Sequence, residues 1–196
     1  MRKEILRKIF HIVSILLLII PVEISGKYSI TVLMFVMLFV FFPISYFKIK
    51  NPITNLYWKI LEFVERDYNW KTLPGRQAFS LAVGFILVSL LFDKKTLEIA
   101  IITTAVYDGF ATIFGKLFGK HKILNLNKSY EGTAGGIIAN TIFLTLTLPL
   151  WEAFFISVVA SFVELLSDSK KWYLDDNITV PLTVSCVYTL LNYLFI

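Results

Sequence analysis

The chain has 196 residues, 57% hydrophobic and only 17% charged, with a mean hydropathy of +0.72. A soluble domain of this length carries roughly 45–50% apolar residues and has too little interior to hide more. The 9 glycines, 6 prolines and one cysteine, Cys186, exclude fibrous, disordered and disulfide-stapled classes, leaving a polytopic membrane protein.

Met1–Lys8 is basic and runs into an apolar stretch, as a signal peptide does, but His11 interrupts that stretch and no Ala-x-Ala site follows. The segment is therefore read as a retained first helix. A spanning helix needs about 20 mostly apolar residues. The predicted spans are Ile9–Ile24, Ser29–Phe47, Arg76–Phe92, Leu97–Phe114, Thr133–Leu150, Glu152–Ser167 and Ile178–Phe195. Between the second and third lies a different pattern. Pro52, Ile53, Leu56, Tyr57, Ile60, Leu61 and Val64 oppose Lys59, Glu62 and Arg66. With Asn51 as its cap and Trp58 and Trp70 at headgroup level, this reads as an amphipathic helix lying on the membrane. The expected fold is an all-α polytopic membrane bundle of about seven transmembrane helices plus one interfacial helix, a single domain over residues 1–196.

Nineteen Lys and Arg against fourteen Asp and Glu give +5. With the N-terminus in the cytoplasm, sixteen of those nineteen basic residues fall on inside segments, and only Lys27, Lys94 and Lys95 fall outside. Topology thus accounts for the basic excess, and no nucleic-acid partner is expected.

Polar residues within apolar helices are costly and mark function. Asp108 shares one helical stripe with Thr104, Ala111, Gly115 and Gly119. Close helix packing explains the small residues of that stripe but not the carboxylate. Downstream come Lys116, Lys120, His121 and Lys122, then Asn127-Lys128-Ser129-Tyr130-Glu131-Gly132 and Gly135-Gly136. Cations, a hydroxyl and glycine amides suit a polyphosphate, although a positive-inside loop also explains the lysines. Glu164 and Asp168, four apart, share a face with Ser157 and Ser161. Asp175-Asp176-Asn177 opens the last span, where a helix cap is the plainer use. All three clusters fall on the cytoplasmic side, and carboxylates beside cations suit Mg²⁺ bridging phosphates. Arg7, Lys8 and His11 lie within one turn at the same surface.

Residues 105–136 carry Asp108, Ala111, Gly115, Gly119, Lys128, Ser129, Glu131 and Gly132 in the order Asp-x-x-Ala-x-x-x-Gly-x-x-x-Gly, gap, Lys-Ser-x-Glu-Gly. This resembles the nucleotide site of the CTP-using membrane transferases, which include phosphatidate cytidylyltransferases and the dolichol, polyprenol and phytol kinases. Asn127 stands where that pattern commonly has its first Lys. Arg7-Lys8-Ile9-Phe10-His11, Leu73-Pro74-Gly75, and Glu164 followed by Asp175-Asp176-Asn177-Ile178-Thr179-Val180-Pro181-Leu182 resemble the kinase branch. The closing Lys-Arg, Lys-Asp and His-Gly-Gly stretch of the cytidylyltransferase branch is absent from this sequence.

The resemblance implies a CTP-dependent lipid-alcohol kinase that makes the monophosphate of a polyprenol- or dolichol-type alcohol at the cytoplasmic face of the bilayer. It implies CTP as phosphoryl donor and Mg²⁺ as cofactor. The expected metal ligands are Asp108 and Asp176, with Asp168, Asp175 and Asn177 in reach. Gly115, Gly119, Lys128, Ser129 and Gly132 are expected on the nucleotide phosphates, with Arg7, Lys8 and His11 closing over them. Glu131 or Glu164 is expected to take the hydroxyl proton. Two alternatives remain: a cytidylyltransferase attacking the α-phosphorus of the same site, and a small ion-coupled transporter relaying charge through Asp108 and Glu164. Homo-oligomer formation is left open.

Overall fold

The computed structural model describes residues 2–65, 70, 72–123, 128–167 and 174–195. Asp168 lies outside them, as do Arg66, Lys71, Asn127, Lys170 and Lys171. The described residues form helices α1 (Arg2–Leu16), α2 (Ile19–Ser25), α3 (Tyr28–Tyr46), α4 (Asn55–Val64), α5 (Arg76–Leu91), α6 (Lys94–Phe118), α7 (Tyr130–Leu144), α8 (Leu150–Leu166) and α9 (Asp176–Phe195). No strand occurs among them beyond an isolated antiparallel bridge between Lys122 and Ser129.

The first expected span is not one straight helix. Proline lacks an N–H and its ring clashes with the carbonyl four residues earlier. Pro21 therefore denies Leu17 its usual partner, and the Leu17 carbonyl accepts from Ile20 N–H at 3.2 Å instead. The helix breaks at Leu17–Leu18 and resumes as α2. Across the break, Lys3–Ser25 remains one apolar stretch.

Among the described residues three helical stretches are long and apolar enough to cross a membrane: Lys3–Ser25, Tyr28–Tyr46 and Lys94–Phe118. The bundle's outer surface is apolar too, with Phe39 84% and Leu146 82% exposed. Such a surface is untenable in water and suits lipid. Helices α5, α7 and α8, with 16, 15 and 17 residues, are shorter than a full crossing, so the expected count of seven rests on hydropathy alone.

Helix α6 is longer than the sequence reading, at 25 residues, because Asp93 caps it by accepting Thr96 N–H at 2.7 Å. It is the axis of the bundle, with α1, α7 and α9 packed along it. Buried polar pairs join its neighbours: Thr31 to Ser89 at 2.7 Å between α3 and α5, and Asn140 to Ser157 at 2.9 Å between α7 and α8.

Helix α4 is amphipathic as expected, but it starts later. Asn51 Oδ1 accepts Thr54 N–H in a turn, and the helix proper begins at Asn55. Trp58 is buried rather than at the rim, donating to the Ile49 carbonyl at 2.8 Å. Leu56, Ile60 and Phe63 form the exposed apolar face.

The contact between α6 and α7 depends on missing side chains. A Cβ on Gly132 would stand 2.7 Å from the Ala111 carbonyl oxygen and 2.9 Å from Gly115 Cα, both backbone atoms. Gly132→Ala should therefore lower stability by about 1–3 kcal/mol, despite a helix-propensity gain of about 1 kcal/mol. Thermal unfolding in detergent reads this as a drop of several degrees. An unchanged midpoint would mean that α6 and α7 do not pack this closely.

Candidate active site

Three carboxylates from three helices meet at one end of the bundle. Asp108 comes from α6, Glu164 from the last turn of α8, and Asp176 from the first turn of α9. One oxygen from each lies within 4.8 Å of the others. The chain brings them together by short connections. Ser167 and Thr179 share a hydrogen bond of 2.9 Å that ties the end of α8 to the start of α9. Gly84 allows α5 to lie against Asn177, since a Cβ there would meet the Asn177 carbonyl oxygen at 2.4 Å.

Cations flank the cluster on both sides. Lys8 Nζ, from α1, donates to Asp108 Oδ2 at 2.5 Å, and His11 Nε2 lies 3.1 Å from the same oxygen. Lys128 Nζ stands 2.7 Å from Glu164 Oε2 and also donates to the Glu164 backbone carbonyl. Lys8 and Glu164 are both buried, at 7% and 8% exposure, so water screens neither pair fully.

A small cavity of about 10 Å³ sits among Thr103, Thr104, Tyr107, Asp108, Glu164, Asp176, Asn177 and Val180. That is about the space for one water-sized occupant, not for a nucleotide. The hydroxyls of Thr103 and Thr104 are buried with no hydrogen-bond partner among the described residues. Buried polar groups are normally satisfied, so their orphaned state points to a polar occupant. The donor set is all oxygen, as hard cations require. Ligands of Mg²⁺ at about 2.1 Å lie at most about 4.2 Å apart, so small side-chain rotations close this cluster on one ion.

Of the other expected site residues in the described part of the chain, Asn177 lies at the cavity and the rest have other partners. Asp175 Oδ1 accepts Asn177 N–H at 3.1 Å, and its carbonyl accepts Thr179 N–H at 2.9 Å, which is a helix cap. Asn177 lines the cavity. Ser129 Oγ caps α7 by accepting Gly132 N–H at 3.1 Å. Gly115 and Gly119 pack against Ser129 and Gly132 rather than opening onto the cavity. Backbone bonds from Ile123 N–H to the Lys128 carbonyl and from Tyr130 N–H to the His121 carbonyl, 2.9 and 3.0 Å, tie the loop ends together. Arg7 pairs with Glu4 at 2.5 Å.

Glu131 sits apart from the carboxylate cluster, its Oε1 2.7 Å from His121 Nδ1. Backbone hydrogen bonding at Glu131 itself, then the His121 side chain, holds its carboxyl down at about 2. A carboxylate so stabilised is a weak base near neutral pH. Of the two expected proton acceptors, only Glu164 is in the cluster.

Sequence reasoning missed Thr103 and Tyr107 as cavity walls. Their four-residue spacing within the apolar run of α6 is the signal that marks a second polar line beside Thr104 and Asp108.

No protein-family model matches this chain, and no solved structure matches it. A protein named dolichol kinase sec59, from Schizosaccharomyces pombe, is 31% identical over 93 residues, covering 43% of this chain. The match takes in 18% of that protein's length. The chain is thus similar to part of a dolichol kinase.

Proposed function

We propose that the chain is a CTP-dependent lipid-alcohol kinase acting on a polyprenol- or dolichol-type alcohol. The observation that carries the reading is the convergence of Asp108, Glu164 and Asp176 oxygens within 4.8 Å, with Lys8 and Lys128 beside them, in a bundle with an apolar exterior. The partial similarity to a dolichol kinase supports the acceptor class. The 105–136 motif is the ground for CTP, and the basic-residue distribution is the ground for a cytoplasmic site.

In this mechanism the lipid tail stays in the bilayer and its hydroxyl reaches the cluster from the membrane side. Asp108 and Asp176 hold Mg²⁺, which when bound offsets charge on the phosphate oxygens. Lys128 and Ser129 bind the nucleotide phosphates, and Glu164 accepts the hydroxyl proton as the oxygen attacks the γ-phosphorus, whose bond to the β,γ-bridging oxygen breaks to release CDP.

Purified protein incubated with CTP labelled at the γ or the α position, with mixed lipid alcohols and lipid phosphates, tests this directly. Label entering lipid from the γ position is the expected result. Transfer from the α position means a cytidylyltransferase, and transfer from neither overturns both and favours the transporter.

A further inference from the structure

Lys8 and Lys128 both pair with the carboxylate cluster, but they are anchored differently. Lys128 has two acceptors on Glu164, its carboxylate and its backbone carbonyl. Loss of the first leaves the second in place. Lys8 makes one hydrogen bond among the described residues, to Asp108 Oδ2, and has no backbone carbonyl to fall back on. Its ammonium is buried against one oxygen of Asp108, a carboxylate that lines the cavity.

We propose that Lys8 is a tethered counter-charge at the edge of the cation site: a divalent cation binding Asp108 through the same oxygen displaces its ammonium, and the released charge turns to the phosphates. This rests on reading the carboxylate cluster as a metal site. An ammonium at hydrogen-bond distance and a divalent ion at about 2.1 Å repel strongly when both sit on one carboxylate oxygen. Lys8 can give way because its charge rides on a flexible four-carbon stem. His11, one turn further along α1 and 3.1 Å from the same oxygen, moves off with it. The exchange never leaves Asp108 without a cation, and it raises the positive charge at the site, since a divalent ion replaces a monovalent one. Asp108 is neutralised by Lys8 beforehand and by the metal afterwards, so a positive group becomes available to substrate only once the metal is in place. Lys8 in this sense links metal loading to phosphate binding.

The test uses the full chain in detergent and Mn²⁺ alone as the probe, since Mn²⁺ shares the oxygen-rich octahedral preference of Mg²⁺. Lys8→Met keeps the length and removes the charge. Titration followed by electron paramagnetic resonance should show Mn²⁺ binding at least tenfold tighter in Lys8→Met than in the wild type. A second measurement needs no variant. Acylation of Lys8 in the wild-type protein, followed by mass spectrometry, should quicken at least threefold on adding saturating Mg²⁺, with exposed Lys59 as the unchanged reference. Equal or weaker Mn²⁺ affinity in a folded Lys8→Met overturns the proposal. If that variant does not fold, the labelling decides, and an unchanged rate at Lys8 overturns it. Mn²⁺ binding to neither protein removes the metal reading and the proposal together. Tighter binding in Lys8→Met without transfer from CTP would uphold the exchange and refute only the kinase assignment.

Discussion

Asp108→Asn is expected to cut phosphoryl transfer by at least about a hundredfold, or about 2.7 kcal/mol of transition-state stabilisation. The substitution keeps the size of the side chain and still offers Lys8 an oxygen acceptor in place of the 2.5 Å contact seen now. What it removes is the charge that a hard cation needs. The variant should insert and keep its helical signal, because Asp108 packs at a cavity rather than in the apolar core. Turnover measured at ordinary and at tenfold raised Mg²⁺ checks the assignment. Partial recovery at high Mg²⁺ fits a weakened metal site, whereas near-normal turnover at ordinary Mg²⁺ would make Asp108 structural and end the mechanism proposed above.

Lys128→Ala should slow turnover or weaken CTP binding by an order of magnitude or more, about 1.4 kcal/mol. Lys122→Ala is the matched control from the same loop. Its side chain is exposed and has no partner at the carboxylates, so it should change little. Equal effects from the two would mean that the loop acts only through net charge. Part of the Lys128 effect passes through Glu164, whose buried carboxylate loses its partner in Lys128→Ala. A double-mutant cycle with Glu164→Gln separates that part from direct phosphate contact.

The positions of the apolar helices were legible because hydropathy is a property of residues in sequence. Asp108, Glu164 and Asp176 stood out for the same reason: each is an ionisable group in or at the end of an apolar helix. Where these groups point was not legible. The sequence did not show that Lys8 and His11 contact a carboxylate of another helix about a hundred residues away, or that Arg7 pairs with Glu4. The small-residue stripe of α6 had two readings in the sequence, and the structure uses Gly115 and Gly119 for packing against α7. Glu131 lies three residues after Lys128 in the motif, but at the start of α7 its carboxylate meets His121 instead. Tertiary pairing decides such cases, and spacing along one helix does not report it. The break in the first span was different: Pro21 is plainly in the sequence, and its effect on the Leu17 carbonyl follows from proline chemistry alone.

That break makes α1 a lever. Lys8 lies nine residues from Leu17, an arm of about 13 Å at 1.5 Å per residue, so a swing of about 4° shifts the ammonium by about 1 Å. The fulcrum sits where the hydrogen-bond ladder is already interrupted. Beyond it α2 is fixed by Val22, fully buried, and by the Glu23–Lys94 pair at 2.6 Å. A bend in α1 thus has its weakest point at Leu17–Leu18, between the arm that carries Lys8 and the anchored turn of α2.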